Sequence, residues 1–133
     1  MRTKIAFGIA ALGLLLASVP VMAHHSFAAE FDSTKPIKLT GSVTKIEWMN
    51  PHAYFYIDVK DASGKVTNWG LEMGSPNGLM RQGWTRNSMK IGDMVTVEGS
   101  AAKDGSNIGN ARSVTMKDGQ RLFAASSQAT PTP

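Results

Sequence analysis

Residues 52–60 alternate strictly between side chains of opposite polarity, and a repeat of two residues is the pattern of a β-strand with one buried face. The alternating members are Ala53, Phe55, Ile57 and Val59 on one side and His52, Tyr54, Tyr56 and Asp58 on the other. An amphipathic helix would instead repeat about every 3.6 residues. The row therefore predicts a strand that lies on a hydrophobic core and turns its tyrosines outward.

The segment before this row predicts a long first strand that bends. Residues 38–49 are rich in β-branched side chains, and Gly41 among them is suited to a bulge or a sharp bend. The alternation slips once between Val43 and Ile46, as an extra bulged residue requires. Asn50-Pro51 then supplies a turn into the next strand.

After the row, the sequence predicts a hairpin, one short helix and two further strands. Residues 61–64 form the hairpin turn and residues 65–73 its second strand. Ser75-Pro76 is typical of a helix start, because serine caps the first turn and proline fits its first position. The remaining predicted features are an apolar helix side of Leu79, Met80 and Trp84, a helix end near Gly83, and strands over residues 93–99 and 110–117.

This order of elements predicts an all-β fold with one short helix. Three strands, a helix and two strands resemble the OB-fold, a five-stranded barrel that a bent first strand helps to close. A small β-sandwich is the alternative. We assign residues 37–123 to the OB-like β domain and residues 24–36 to an N-terminal lead-in. Residues 124–133 are expected to be a disordered tail, because they hold no large apolar side chain.

Residues 1–23 predict a secretory signal peptide that is cleaved after Ala23. Arg2 and Lys4 precede an uncharged apolar run over residues 5–19. This run is shorter than the roughly 20 residues of a membrane-spanning helix, so we expect no membrane span after cleavage. The expected location is the periplasm or the medium. The chain has no cysteine, so core packing must stabilise the exported domain without disulfides.

The charge of the processed chain argues against nucleic acid as a partner. The full sequence carries a net charge of +4, but two of its cations belong to the signal peptide, and their removal leaves +2. The remaining cations are scattered singly, whereas nucleic-acid-binding proteins usually carry a basic stripe. We expect an unidentified small ligand or a partner in the cell envelope instead.

Three histidines, His24, His25 and His52, are the candidate metal ligands. Cleavage after Ala23 would place His24 at position one, where its imidazole and the free α-amine can chelate one metal ion. A third nitrogen from His25, or from His52 after folding, would complete a donor set that suits Cu(II). This ligand chemistry resembles the histidine brace of copper proteins. The structural alternative for His52 is a role in capping a turn or packing.

Four aromatic residues form the candidate ligand-binding face: Trp48, Tyr54, Tyr56 and Trp69. They lie on the first three predicted strands, the face that OB-folds use for ligands. Exposed tyrosines can stack on sugars or bases, and covering a second small apolar cluster is the alternative role.

No catalytic residue is assigned, because the sequence lacks a nucleophilic cysteine, a G-x-S-x-G elbow and an H-E-x-x-H motif. Asp58 and Glu72 lie on neighbouring predicted strands, where solvated residues paired with lysine or arginine are expected. Three function classes remain: a non-catalytic binding module, which we favour, a copper-binding protein for storage, delivery or resistance, and a copper redox enzyme. The last is the weakest, because the small mature chain leaves little area for a substrate platform.

Three motifs together resemble a family of small exported bacterial proteins that is catalogued only as a domain of unknown function. They are HHSFAAEFD over residues 24–32, V-x-x-I-x-W-x-NPH over residues 43–52, and GW-x-R followed by GD-x-V-x-V-x-G over residues 83–99. The resemblance implies export and one small β domain, and it implies no activity and no site residues.

Overall fold

The computed structural model describes residues 27–126, so the predicted signal peptide and the first residues of the lead-in lie outside the described part. The elements in chain order are α1 (Phe27–Glu30), β1 (Phe31–Glu47), β2 (Tyr54–Lys60), β3 (Val66–Glu72), α2 (Pro76–Arg81), β4 (Met94–Ala102), β5 (Ile108–Thr115) and β6 (Arg121–Phe123). The strands form one sheet in the order β3-β2-β1-β4-β5-β6. An additional parallel pairing of β3 with β5 closes five strands into a ring.

The predicted all-β fold with a short helix between the third and fourth strands is confirmed. The ring of β1, β2, β3, β5 and β4 agrees with the OB-like prediction. Two elements were not predicted: the single helical turn α1 and the three-residue strand β6, which pairs with β5.

The core lies inside this ring and is built from alternate residues of each strand. On β2, Phe55 and Ile57 are completely buried, whereas the alternating residues Tyr54 and Tyr56 are half-buried on the outside. The alternation that predicted this strand is therefore confirmed. The other completely or almost completely buried large side chains are Val43, Leu71, Met73, Leu79, Val95, Val97 and Val114.

The predicted bulge in β1 is confirmed. The register with β2 shifts between Val43 and Lys45, which leaves Thr44 as the extra residue. Gly41 lies close to the point where β1 changes its main partner from β4 to β2. A Cβ atom at Gly41 would lie 2.4 Å from the carbonyl oxygen of Asp58, so the glycine permits a close approach of two backbones.

The helix α2 begins and ends as its sequence predicts. The Ser75 hydroxyl accepts a hydrogen bond from the Gly78 amide at 3.2 Å, and Gly83 follows the helix with a positive φ of 97°. Leu79 is buried, but the prediction for Met80 was wrong, because half of this residue is exposed. Its position next to Leu79 turns it away from the core.

Trp84, the third predicted apolar residue of this region, is buried and holds β6. Its indole Nε1 donates a hydrogen bond to the carbonyl oxygen of Phe123 at 2.8 Å. This bond satisfies an acceptor on the outer edge of β6, and such edges otherwise attract further strands.

The ordered structure extends beyond both predicted boundaries of the β domain. Strand β1 begins at Phe31 rather than at residue 38, because Phe31 is buried and lies opposite Ala102 on β4. Ala124 and Ala125 are buried and do not belong to a disordered tail. The Ala124 amide donates to the Arg112 carbonyl, and the Ala124 carbonyl accepts from Gly74. The rest of the predicted tail, residues 127–133, lies outside the described residues.

Gly99 offers a direct test of the backbone packing in the ring. A Cβ atom at this position would lie 1.8 Å from the Asn110 carbonyl oxygen, at a register shift between β4 and β5. We expect Gly99→Ala to lower the free energy of unfolding by about 3 kcal/mol or more, because backbone atoms must move to make room. Urea unfolding measures the change.

The matched control is Gly64→Ala in the β2–β3 turn. A Cβ atom there meets nothing within 4 Å, so only the left-handed backbone (φ of 89°) opposes the substitution. The expected loss is about 1–2 kcal/mol. Equal destabilisation by the two variants would contradict the proposed steric role of Gly99.

Candidate functional site

The outer face of β1, β2 and β3 carries a row of interacting polar side chains. The strand register places Tyr54 opposite Glu72 on β3 and opposite Glu47 on β1. The next row contains Tyr56, opposite Lys45 on β1 and Gly70 on β3. We call this surface the tyrosine face and define it by Lys45, Glu47, Tyr54, Tyr56 and Glu72.

Tyr54 and Glu72 form the most buried contact of the tyrosine face. The Tyr54 hydroxyl donates to Glu72 Oε2 at 2.7 Å, and Glu72 is only 8% exposed. Partial burial of Tyr54, followed by the hydrogen bond and the negative charge of Glu72, raises the pKa of Tyr54 well above its ordinary value. A carboxylate with so little access to water needs such partners, because burying a charge without them is unfavourable.

His52 lies beside the same carboxylate at the end of the row. Its Nδ1 lies 3.0 Å from the carbonyl oxygen of Met73 and 3.7 Å from Glu72 Oε1. A carbonyl oxygen only accepts hydrogen bonds, so Nδ1 carries the proton of that contact. In the neutral ring, Nε2 then keeps its lone pair, which is the arrangement found in metal-binding histidines.

Tyr56 is held by the charged pair on β1. Its hydroxyl donates to Glu47 Oε2 at 3.2 Å, and Lys45 Nζ lies 2.5 Å from Glu47 Oε1. The same ammonium group lies 5.2 Å from the centre of the Tyr56 ring. Partial burial and the Glu47 charge raise the pKa of Tyr56. Gly70 leaves room for the ring, because a Cβ atom there would lie 3.0 Å from Tyr56 Cε1.

A cavity of about 350 Å³ lies between α1 and the β4–β5 hairpin. Its lining includes Glu30, Phe31, Lys103, Asp104 and Ile108. The Lys103 amide donates to the Glu30 carbonyl, and Lys103 Nζ donates to the Ala28 carbonyl, so one lysine anchors the whole helical turn. The volume lies at the lower end of the range for small-ligand sites.

One contact connects this cavity to the tyrosine face. Ile108, which lines the cavity, has its Cδ1 2.9 Å from the position that a Gly70 Cβ would occupy, on the side where Tyr56 also lies. The wall of the cavity at Ile108 therefore lies next to the Tyr56 end of the tyrosine face.

The structure separates the four aromatic residues of the predicted ligand-binding face. Tyr54 and Tyr56 share the outer surface, whereas Trp48 and Trp69 are partly buried and pack against the core. Trp69 lies opposite Ile57, a core residue, which places its side chain on the inner face. The period of two along β3 would have shown this, because Trp69 and Leu71 share one side of the strand.

Of the three predicted metal ligands, only His52 belongs to the described residues. His52 lies at the tyrosine face, and His24 and His25 lie outside the described residues. Within residues 27–126, no three acidic, histidine or cysteine side chains converge as a metal site. Over the same range, no helix has the length and apolar character needed to cross a bilayer.

Sequence reasoning missed the central role of the glutamates. Glu72 was expected to be solvated, but it is buried between Tyr54 and His52. The contact between Glu72 and Tyr54 could have been predicted from antiparallel pairing, because the end of β3 must lie opposite the start of β2. The same argument places Glu47, at the end of β1, opposite Tyr54.

Comparisons with known proteins identify a family without supplying a ligand. A model of a family of unknown function, DUF6152, matches residues 11–121. No curated protein matches the chain. Among solved structures, the fold is similar to that of Rim1, a mitochondrial single-stranded DNA-binding protein from S. cerevisiae. The two chains share 11% identity with a TM-score of 0.49, over 62% of this chain and 92% of that one.

The two tyrosines of the chain allow the site to be titrated directly, because no other tyrosine is present. Both pKa values are raised above the ordinary value of 10.0, so folding favours the neutral phenols. This contribution to stability is complete below pH 10 and is lost as the pH rises further. We expect phenolate absorbance in the wild type to appear only above pH 10, with Tyr54 ionising last.

Two variants assign the steps of this titration. Tyr54→Phe should remove the most alkaline step, and Glu72→Gln should move the pKa of Tyr54 back towards its ordinary value, because the nearby negative charge is gone. If Tyr54→Phe removes the earlier of the two steps, the hydrogen bond to Glu72 does not hold in solution.

Proposed function

Because the chain belongs to DUF6152, a family of unknown function, we propose its role from the chemistry of the site: it is an exported, non-catalytic binding protein. In this proposal residues 1–23 direct export, and the mature protein acts in the periplasm or the medium without a membrane span. The ligand binds at the tyrosine face and in the adjoining cavity.

The observation that carries this proposal is the fixed position of both tyrosine hydroxyls. Each donates to a glutamate of a neighbouring strand, and the three strands belong to the closed ring. Aromatic side chains held in this way lose little further conformational freedom when a ligand packs against them. A small open cavity beside Tyr56 adds further contact surface.

The charges of this surface favour a ligand with a positive group. The described residues of the tyrosine face and cavity carry four carboxylates and two ammonium groups: Glu30, Glu47, Glu72 and Asp104 against Lys45 and Lys103. Lys103 already binds a backbone carbonyl. A cation can contact both the carboxylates and the tyrosine rings, whereas a polyanionic strand would be repelled. Nucleic acid is therefore not the ligand that we propose.

The charge preference can be tested with two probes of similar length and opposite charge. We expect 1,4-diaminobutane to shift the amide NMR signals of residues 54–56 and 72 in a saturable manner. Butanedioate at the same ionic strength should leave them unchanged, because the carboxylates repel it. Glu47→Gln should weaken the diamine response, and Asp118→Asn in the turn between β5 and β6, which removes the same charge, is the matched control.

Equal responses to the dication and the dianion would contradict the charge argument. A diamine response that Glu47→Gln and Asp118→Asn change equally would place the binding elsewhere on the protein.

Copper binding is the second candidate, and the state of the His52 ring favours it. The bond from Nδ1 to the Met73 carbonyl leaves Nε2 with a lone pair, and the buried carboxylate of Glu72 beside the ring favours a cation. In this proposal His24, with the α-amine freed by cleavage, and His25 supply the other nitrogens, and such a donor set suits Cu(II).

The anchoring of α1 supports the participation of the N-terminal histidines. Lys103 holds the carbonyls of Ala28 and Glu30, so α1 has a fixed place beside the β4–β5 hairpin. His24 lies three residues before Phe27, and an extended chain spans at most about 3.6 Å per residue. The proposed N-terminal ligands therefore have a short covalent link to this anchored turn.

Native mass spectrometry of the exported protein with one equivalent of Cu(II) tests this candidate. We expect a mass that begins at His24 and retains one copper ion against a competing chelator. An alanine inserted before His24 should abolish retention, because it moves the α-amine away from the imidazole. His52→Ala should weaken retention, and Tyr56→Ala is the control that leaves the nitrogens intact.

A processed chain that begins elsewhere, or one that begins at His24 and retains no copper, would exclude this candidate. The diamine experiment would still decide the binding-protein proposal, because it does not depend on the N-terminal residues.

A further inference from the structure

A second polar surface lies on the outer face of β4, β5 and β6, on strands that do not contribute to the tyrosine face. The register places Glu98 of β4 opposite Ser113 of β5, and Ser113 opposite Phe123 of β6. A cavity of about 400 Å³ lies over these strands and is lined by Arg112, Ser113, Arg121 and Phe123. We call this surface the arginine cavity.

A bulge directs Arg112 towards this cavity. Glu98 pairs with Ser113 and Gly99 with Ala111, so Arg112 is the extra residue between them. Its carbonyl is held by the Ala124 amide, while its side chain is exposed. Within residues 27–126, no hydrogen bond or ion pair engages the Arg112 guanidinium. Bulges that redirect a side chain are frequent beside binding sites.

Arg121 is held in place by Glu98 on β4. Its Nη2 donates to Glu98 Oε2 at 2.8 Å, which leaves the other guanidinium N–H groups available. The charges of Arg121 and Lys38 together lower the pKa of Glu98, so this carboxylate is already balanced by cations. With Arg112 added, three cations surround one anion, and the local charge is positive.

Phe123 gives the arginine cavity an apolar wall. The residue is 40% exposed, although its backbone is fixed by pairing with β5 and by the hydrogen bond from Trp84. An exposed aromatic ring on a rigid strand beside two guanidinium groups suits a ligand with a charged and an apolar part.

We propose that the arginine cavity binds a phosphate or carboxylate group attached to an apolar body. Arg112 and Arg121 bind the oxyanion through their guanidinium groups, and the apolar body packs on Phe123. The oxyanion belongs either to a small soluble compound or to a lipid headgroup. This site is independent of the tyrosine face, which has the opposite charge.

Phenyl phosphate is the probe for the soluble arm, and its binding to the processed protein is measured by NMR titration. We expect saturable shifts of the amides of residues 112, 113, 121 and 123. Arg112→Gln should weaken the affinity about tenfold, because one charge-assisted contact is lost. Phe123→Ala should reduce the affinity to that of inorganic phosphate, and Lys65→Gln in the distant β2–β3 hairpin is the matched control.

Vesicles form the lipid arm of the experiment. Preferential sedimentation with phosphatidylglycerol over phosphatidylcholine vesicles, abolished by Arg112→Gln, would identify a headgroup as the source of the oxyanion. A response to phenyl phosphate alone would identify a soluble ligand. The proposal is overturned if neither probe binds, or if Arg112→Gln and Lys65→Gln bind as the wild type does.

Discussion

The short parallel pairing between β3 and β5 is the contact on which the rest of the structure depends. It joins Gly70 to Ile108, Leu71 to Gly109 and Glu72 to Asn110. Without it the strands would form an open sheet with two free edges, and the core would have no closed wall. Small residues suit this pairing: a Cβ atom at Gly109 would lie 2.5 Å from Ile37 Cδ1 and 3.2 Å from the Ser100 carbonyl oxygen.

Ring closure also determines where the polar groups lie. The pairing brings the β4–β5 hairpin next to β3, so Ile108, which lines the cavity beside α1, lies next to Gly70 and Tyr56. It also buries Glu72, whose carboxylate then depends on the Tyr54 hydroxyl as a hydrogen-bond donor. A closed ring thus separates two outer surfaces of opposite charge, the acidic tyrosine face and the basic arginine cavity.

Much of the fold could be predicted because it follows from local rules. The alternation along β2, the slip in β1, and the Ser75-Pro76 start of α2 each depend on residues close together in the sequence. One prediction failed for a local reason, because Met80 follows Leu79 on α2 and is turned away from the core. Another failed where distant parts meet: Ala124 was assigned to the tail although it is buried. Ala124 is held by hydrogen bonds from two other segments.

The sequence alone determined the approximate positions of β1 to β5, which face of β2 is apolar, and that export and a family of unknown function are the expected context. These properties depend on periodicity, turn residues and the N-terminal pattern, all of which act over short stretches of chain. Only the tertiary structure decided that Tyr54, Glu72 and His52 meet and that Arg112 and Arg121 share a cavity. Strand register is the physical reason, because it selects neighbours from distant segments, and a shift by one residue would turn every side chain to the other face.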